Sequence, residues 1–389
     1  MGAGAIIRDG LLVLALAPFG YYLSAIVAAF RFYRNPPVDI EIDTPFFPPV
    51  SILKPIRGLD RETYENYASF CVQDYPEFEI IFCVSDGSEP AIPVIEKIIR
   101  DFPKRSIRLL IGSEPLGVSD KVNKMCRMVR EARYDLLLVS DSDVRVEPGF
   151  LRDVVAPFAN PRVGGVTCLY KGLTGGSLAA DIEALGNSAD FAPSVLVARL
   201  MGDLDFMLGA VMATTKKRLA EIGGFEGLVD HLSDDYELGN RIAANRHRVE
   251  LSRYPVSIVY PHQNLTDTFR HQLRWNLTIR CSRPGGHLGL LFTQGLPWAL
   301  LAATIAPSAK IGLGYLAGYV ILRTAMAWEV GVSGMHDALL RRKWWMLPLR
   351  DAFAFIVWLL SFFPQRIYWR GQEFYIRDKR LVPAPPRHS

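Results

Sequence analysis

The chain has 389 residues, half of them hydrophobic, with 44 Lys and Arg against 40 Asp and Glu. A net charge of +4 and a pI near 8.7 give no footing for nucleic-acid binding. They suit phosphate-bearing substrates and anionic headgroups equally well. The mean hydropathy of +0.14 is high for a soluble protein and modest for a polytopic one, so a soluble domain with a few membrane segments is expected.

Residues 1–34 read as an N-terminal membrane anchor. Leu11 to Phe30 is apolar and uncharged, and a run of roughly 20 such residues spans a bilayer. No small-residue cleavage site follows a short core, which points to an uncleaved anchor instead of a signal peptide. Arg31 and Arg34 follow the run, while Arg8 and Asp9 precede it. The positive-inside bias therefore puts the next residues in the cytoplasm. Residues 35–49, "NPPVDIEIDTPFFPP", form a Pro-rich linker.

From residue 50 to 285 short apolar runs alternate with longer amphipathic ones. "VSILKP", "EIIFCVSD", "IRLLIG" and "DLLLVSDSD" read as strands; "RETYENYASFCVQ", "AIPVIEKIIRDF" and "DKVNKMCRMVREA" read as helices. Such alternation predicts a mostly parallel sheet covered on both faces. Ligands then bind beyond the carboxyl ends of the strands. A helix is expected from about Asp234, and one or two strands in "HRVELSRYPVSIVY". The cysteines at 71, 83, 126, 168 and 281 are odd in number and form no CxxC or Cys/His cluster, so they read as reduced thiols.

Residues 286–370 hold three candidate membrane segments: His287–Pro307, Ile311–Val330 and Leu347–Phe363. If all three cross, the basic loop Arg341–Trp345 lies inside and the basic tail 371–389 lies outside. If Pro297 breaks the first, the tail returns and the loop is exported. The sequence leaves both open. Arg366, Tyr368, Trp369 and Arg370 suit an interfacial collar.

Four features carry chemistry. Asp141 and Asp143 form a DxD after an apolar strand. Residues i and i+2 of an extended chain point the same way, and paired hard oxygens suit Mg²⁺ or Mn²⁺ with substrate phosphates. So close a pair also repels, which calls for something positive beside it. Asp86 ends another strand. It is either an Asp-Gly turn residue or an acceptor for a nucleotide base. Asp234 and Asp235 open a helix, where one can cap and the other face a cleft as a general base. "RHQLRWNLTIR" (Arg270 to Arg280) is either a basic stretch at the membrane surface or a phosphate clamp.

The order of these features resembles the membrane-bound GT-A lipid glycosyltransferases, most closely the ceramide glucosyltransferase type. "VSILKPIRGLD", "EIIFCVSDGSEPAI", "KVN", "YDLLLVSDSDVRV", "IGGFEGLVDHLSDDYELG" and "HQLRW" carry it. Bacterial hopanoid glycosyltransferases share these blocks. The resemblance implies an α/β GT-A, Rossmann-like cytosolic domain with N- and C-terminal transmembrane helices, in a bacterial inner membrane. It implies Asp86 on the uridine of a UDP-sugar and Lys121 and Asn123 near the nucleotide or diphosphate. Asp141 would lie at the ribose, Asp143 on the metal, and Asp235 would be the catalytic base. Arg274 and Trp275 would close on the diphosphate and acceptor. His271 stands where the motif usually opens with Gln or Arg, and a neutral imidazole lacks Arg's fixed charge. The implied reaction inverts configuration as a hexose moves to a lipid hydroxyl. Glucose and ceramide are the first expectation, and N-acetylglucosamine with a hopanoid the alternative. A processive polysaccharide synthase needs more apolar segments, and an inactive nucleotide-sugar-binding scaffold gives no reason for several clustered carboxylates.

Overall fold

The sheet grows from strands whose residues have no polar face to spare. β1 (Val50–Pro55), β2 (Phe78–Val84) and β4 (Leu136–Ser140) are buried at every position, whereas the edge strand β3 (Ser106–Ile111) is half-buried. The computed structural model describes residues 3–34, 46–231, 233–363, 366–369, 372–377 and 380–383. The linker reading at 35–45, the tail residues Arg370, Lys379 and 384–389, and the side chains of the expected collar lie outside the described residues.

The chain divides into two units, 1–35 with 174–201 and 262–373, and 36–173 with 202–261 and 374–389. The α/β unit therefore does not run unbroken from 50 to 285. Residues 174–201 and 262–285 belong with the apolar helices, and Ala179–Ala189 is buried throughout, its polar residues included.

In the α/β unit the strand order is β3-β2-β1-β4-β7-β6-β8-β5. β6 is Val163–Leu173, β7 Val211–Thr215, β8 Arg248–Val259, and β5 the short Val144–Arg145. The first four strands are parallel, as the alternating pattern predicts. β7 then pairs antiparallel with both β4 and β6, β6 runs parallel to β8, and β5 runs antiparallel to β8, making the sheet mixed. The helices Thr63–Cys71, Ile92–Asp101 and Asp120–Glu131 make the crossovers. After β1 the chain builds outward through β2 and β3, then returns to place β4 on β1's other side. The β1/β4 boundary is thus the topological switch point, where the carboxyl ends leave a crevice. Beyond residue 371, where a basic tail was expected, Gln372–Arg377 and Arg380–Pro383 pair as antiparallel strands.

The other unit is helical. Ala3–Arg34 and Ala309–Gly334 are, among the described residues, long and apolar enough to cross a membrane. The N-terminal run is interrupted at Ala15–Leu16, just before Pro18, so Leu11–Phe30 is carried by two consecutive helices. Pro284–Thr293 and Gly295–Ile305 meet at 53°. Pro297 lies in the first turn of the second piece, where a missing N–H is tolerated but a helix cannot continue straight through. Leu347–Leu360 has 14 residues, about 21 Å of helix. That is less than the ~30 Å hydrocarbon core, so the third expected segment falls short of a straight span.

Gly239 sets how closely the helix Asp234–Ala244 approaches the segment before β7. A Cβ there would stand 2.4 Å from the Phe206 and Met207 backbone. Backbone cannot rotate away, so Gly239→Ala should cost about 1–3 kcal/mol. The check is a lowered apparent Tm in detergent. An unchanged Tm would show that the helix is free to retreat.

Candidate active site

Lys54 sits at the end of β1, inside a strand buried on both faces. Its side chain runs to the carboxyl edge, where Nζ donates to the Asp141 carbonyl at 2.9 Å and to Ser140 Oγ at 3.2 Å. The ammonium also lies 3.8 Å from the centre of the Phe70 ring. Burial pushes its pKa down to about 7, against the pull of Asp141, Asp143 and Asp60. A lysine this deep is held charged only by neighbouring carboxylates.

The two Asp residues of the DxD diverge in role. Asp141 Oδ1 takes an ion pair from Lys121 Nζ at 2.7 Å, and the same ammonium is 3.6 Å from Asp234 Oδ2. Burial alone would lower the Lys121 pKa, but Asp141, Asp234 and Asp235 hold it well above the usual lysine value. The positive charge called for beside the acidic pair is therefore supplied by two lysines. Among the described residues Asp143 has no such ion pair. Burial first, then Asp141 and Asp60, raise its carboxyl to about 7, with Lys54 pulling the other way. Backbone bonds pin the motif, from Asp141 N to the Ala210 carbonyl at 3.2 Å and from Val259 N to the Asp143 carbonyl at 2.9 Å.

Asp60 joins this group. Burial raises its pKa, and its Oδ2 is buried with no hydrogen-bond partner among the described residues. An orphaned carboxylate oxygen is costly unless a donor or a cation meets it.

Asp235 completes the acidic cluster from the helix Asp234–Ala244. Oδ1 accepts from its neighbour Tyr236 N at 2.8 Å. The carboxylate has room because residue 209 is glycine, where a Cβ would approach Oδ2 to 3.1 Å. Burial, then the Asp234 charge, raises its pKa to about 6, while Lys121 draws it down. Asp234 takes Lys121, leaving Asp235 able to carry a proton near neutral pH. Tyr170 of β6 feels Asp235, Asp141 and Asp143, and with burial as the main cause its phenol stays protonated.

Asp86 lies at the same sheet edge, beyond β2. β2 is two strands from β4, about 10 Å across the sheet. Its carboxylate accepts from the Ser88 hydroxyl and from Ser88 N at 2.8 Å, which keep its pKa low, and it is exposed. It shares the edge without joining the carboxylate cluster. Asn123 is spent on structure: Gly117 N donates to its Oδ1 at 3.1 Å and its Nδ2 donates to the Gly117 carbonyl at 2.9 Å. It pins the loop that leads into Asp120–Glu131.

His271, Arg274 and Trp275 lie on Leu265–Ser282 in the helical unit. Spacings of three and four put them on one helix face. His271 Nδ1 pairs with the fully buried Glu183, and its ring centroid is 4.9 Å from that of Trp275. Burial would raise the Glu183 pKa, but His271, Gln263 and Gln272 hold it below the usual value.

Sequence reading assigned no role to Lys54, Asp60, Tyr170 or Glu183. For Lys54 there was a signal, a lysine inside an otherwise apolar strand. For Glu183, its partner lies 88 positions away, beyond local patterning.

The raised Asp143 pKa has a consequence for stability. Its unfolded value is near 3.8 and its folded value about 7, so the folded state binds more protons between them and stability falls as pH rises through that window. With EDTA present, Asp143→Asn should raise the apparent Tm at pH 8 and leave it unchanged near pH 4. A lower Tm at pH 8 would show that the ionised carboxylate stabilises the empty site.

Three comparisons bear on this arrangement. The signature of glycosyl transferase family 21 matches residues 10–382. Ceramide glucosyltransferase 1 of Caenorhabditis elegans is 26% identical over 383 residues, covering 94% of this chain and 80% of the worm protein. The ceramide glucosyltransferase of Gibberella zeae is 31% identical over 179 residues, 43% of this chain and 33% of its own. Among solved structures, the mannosyltransferase PcManGT from Pyrobaculum calidifontis, in complex with GDP-Man and Mn²⁺, superposes with a TM-score of 0.52 at 17% identity, covering 92% of this chain and 99% of that one. The last likeness concerns the fold, which resembles the GT-A glycosyltransferases. With the signature spanning nearly its whole length, the chain belongs to glycosyl transferase family 21 and is a glycosyltransferase related to the ceramide glucosyltransferases.

Proposed function

We propose that this enzyme moves a hexose, glucose first, from a UDP-sugar to the hydroxyl of a membrane lipid, ceramide first, with inversion of configuration. The observation that carries the reading is Asp235, a carboxylate with a pKa raised to about 6, set beside an acidic cluster that two lysines hold together. The names of the curated relatives support the sugar and the acceptor. The nucleotide sugar and Mn²⁺ bound by the solved neighbour support a donor of this class.

Among the described residues no three His, Cys, Asp or Glu are grouped to hold a metal by themselves. Mg²⁺ and Mn²⁺ commonly take one or two carboxylates and complete their shell with substrate phosphates and water. Asp143, with its unpaired charge, and Asp60, with its orphaned oxygen, fit that pattern. A divalent ion held there would offset the charge that grows on a departing diphosphate.

The chain's own residues do the rest. Asp86 accepts from the base at the sheet edge, and Asn123 fixes the loop beside the nucleotide. Lys121 moves its ammonium from Asp141 toward the diphosphate, which frees Asp141 for the ribose. Asp235 takes the proton of the attacking lipid hydroxyl, its raised pKa matched to that transfer. The family resemblance supports Arg274 for a diphosphate and Trp275 for an acceptor, and within the helical unit His271 is held by Glu183. Arg31 and Arg34 after the first span support a cytoplasmic α/β unit at a bacterial inner membrane, where a soluble donor can reach it.

Membranes bearing the enzyme, given labelled UDP-sugars and a lipid panel, should yield glucosylceramide by mass spectrometry; a glycosylated hopanoid alone would shift the acceptor, and no lipid product would end the reading. Asp235→Asn should lower turnover at least about 10³-fold while UDP-sugar affinity holds within a few-fold. In the native enzyme the rate should fall as pH drops below about 6, where Asp235 takes up its proton. A flat profile between pH 5 and 8 would remove it as the base. EDTA should weaken UDP-sugar binding, and Asp143→Ala should abolish that sensitivity; affinity indifferent to both would argue against a metal-assisted donor site.

A further inference from the structure

The helix Leu347–Leu360 is tied ahead of its start, along its length and past its end to elements that cannot lie in hydrocarbon. Ahead of it, Lys343 pairs with the buried Asp181 of the helix Leu178–Gly186. Along it, Arg350 Nη2 donates to Gln272 Oε1 at 3.2 Å, and the Phe353 and Phe269 rings meet edge-on at 6.4 Å. Past its end, Arg280 Nη1 donates to the Ser361 carbonyl at 2.5 Å. Phe269, Gln272 and Arg280 belong to Leu265–Ser282, which also carries Asp267, Arg270, His271 and Arg274. So many ionisable groups in 18 residues exclude a crossing by that helix. Leu178–Gly186, with nine residues, is too short for one.

Chain continuity puts both anchoring helices on one side of a bilayer. Leu178–Gly186 follows the end of β6 at Leu173, and Leu265–Ser282 follows the end of β8 at Val259. Links this short reach about 20 Å at most, less than the ~30 Å hydrocarbon core. The boundary on that side is marked where the N-terminal span ends, with Arg34 3.5 Å from Glu329. Asp351 closes on Arg323 at 2.6 Å, and Arg323 lies six residues before Glu329, about 9 Å along the helix. An in-plane helix sinks its apolar face to roughly that depth. The other face is apolar and uncovered. Leu349, Ile356 and Leu360 are exposed at spacings that share one helix face, and Trp345 and Phe363, 63% and 74% exposed, extend the stripe past each end. Arg341 and Arg342 are exposed beside it. Tryptophan and arginine at the rim of an apolar stripe match a headgroup boundary.

We infer that residues 338–363 do not cross the membrane but lie in the plane of the leaflet facing the α/β unit, with the stripe from Trp345 to Phe363 in the acyl boundary and Arg341 and Arg342 among the headgroup phosphates. The crossings are then Ala3–Arg34, the bent pair Pro284–Thr293 with Gly295–Ile305, and Ala309–Gly334. The basic loop Arg341–Trp345 and the tail stay together on the side of the α/β unit. That arrangement differs from three full C-terminal crossings, which export the tail, and from a broken first segment, which exports the loop. It holds whichever sugar and lipid the enzyme joins.

The test uses the full chain in sealed membrane vesicles of both orientations. Single cysteines are introduced with Cys281→Ser, the other native cysteines being buried. Glu96→Cys reports the α/β unit and Lys310→Cys the loop between the last two crossings, both at exposed positions. Arg341→Cys and a cysteine added after Ser389 report the loop and the tail. With a membrane-impermeant maleimide, these two should label in the orientation that labels Glu96→Cys, and Lys310→Cys in the other. Labelling of either together with Lys310→Cys overturns the inference. In-plane placement is read separately, from bimane on Trp345→Cys, Ile356→Cys and Phe363→Cys in lipids brominated near the head or near the tip of the acyl chain. All three should be quenched at least about twofold more by the shallow bromines. Deep quenching at Ile356 with shallow quenching at the two ends would show a crossing, and no quenching at any position would show a stripe covered by protein; either result overturns the inference. Should an introduced cysteine stay unlabelled from both sides, the quenching decides alone. Sugar transfer enters neither readout, so failure of the proposed function and failure of this topology are distinguishable.

Discussion

Crowded negative charge at the end of a parallel sheet is the constraint from which the site follows. Asp60, Asp141, Asp143, Asp234 and Asp235 lie close enough to perturb one another or to share a partner. Left alone they would protonate or splay apart. Lys54 from below, through the Asp141 carbonyl, and Lys121 from the side, through the Asp141 and Asp234 carboxylates, keep the group together. The neutralisation is uneven, and its unevenness sorts the roles. The carboxylates nearest Lys121, those of Asp141 and Asp234, share its ammonium. Those one step away, Asp143 and Asp235, are drawn toward their protonated forms and remain responsive to whatever positive charge or proton arrives.

The fold makes this arrangement possible without long loops. Parallel strands place their carboxyl ends together, and the switch between β1 and β4 opens the edge at Lys54 and Asp141. Antiparallel β7 then carries the chain back, and the segment before it provides Gly209 and Ala210, which give Asp235 space and anchor Asp141 N. Asp235 arrives at the start of a helix, with Gly239 letting that helix press against residues 206–207.

The helical unit obeys the same rule in a drier setting. Arg323 lies inside an apolar helix that can span a bilayer, where a lone charge is expensive. It is closed by Asp351, by Asp190 and by the Ala189 carbonyl, while Tyr319 donates to Asp351 at 2.8 Å. Asp190 and the Ala189 carbonyl both come from the π-helical turn Asn187–Phe191. Both units therefore hold buried charge by pairing it locally. In one case the pairing leaves two carboxylates poised, and in the other it closes a charge inside an apolar helix.

Period and polarity along the chain were enough to reveal the alternation of strands and helices, the first span, the strand-end position of the DxD and the acidic start of the helix at Asp234. These depend on neighbours within a few residues, and the backbone repeats that read them are local. Which charge answers which could not be read the same way. Lys121 is 20 residues from Asp141 and Glu183 is 88 from His271, and such pairings are chosen by how the sheet orders its strands and how helices stack. The same holds for Asp86 and Asn123, whose residue types fit a ligand or a local turn equally well, and whose bonds to Ser88 and Gly117 only the structure shows. Sequence alone determined which chemical groups are present and on what elements they ride. Only tertiary structure decided which of them meet, because electrostatic and hydrogen-bond energies fall off over a few ångströms in space and are indifferent to distance along the chain.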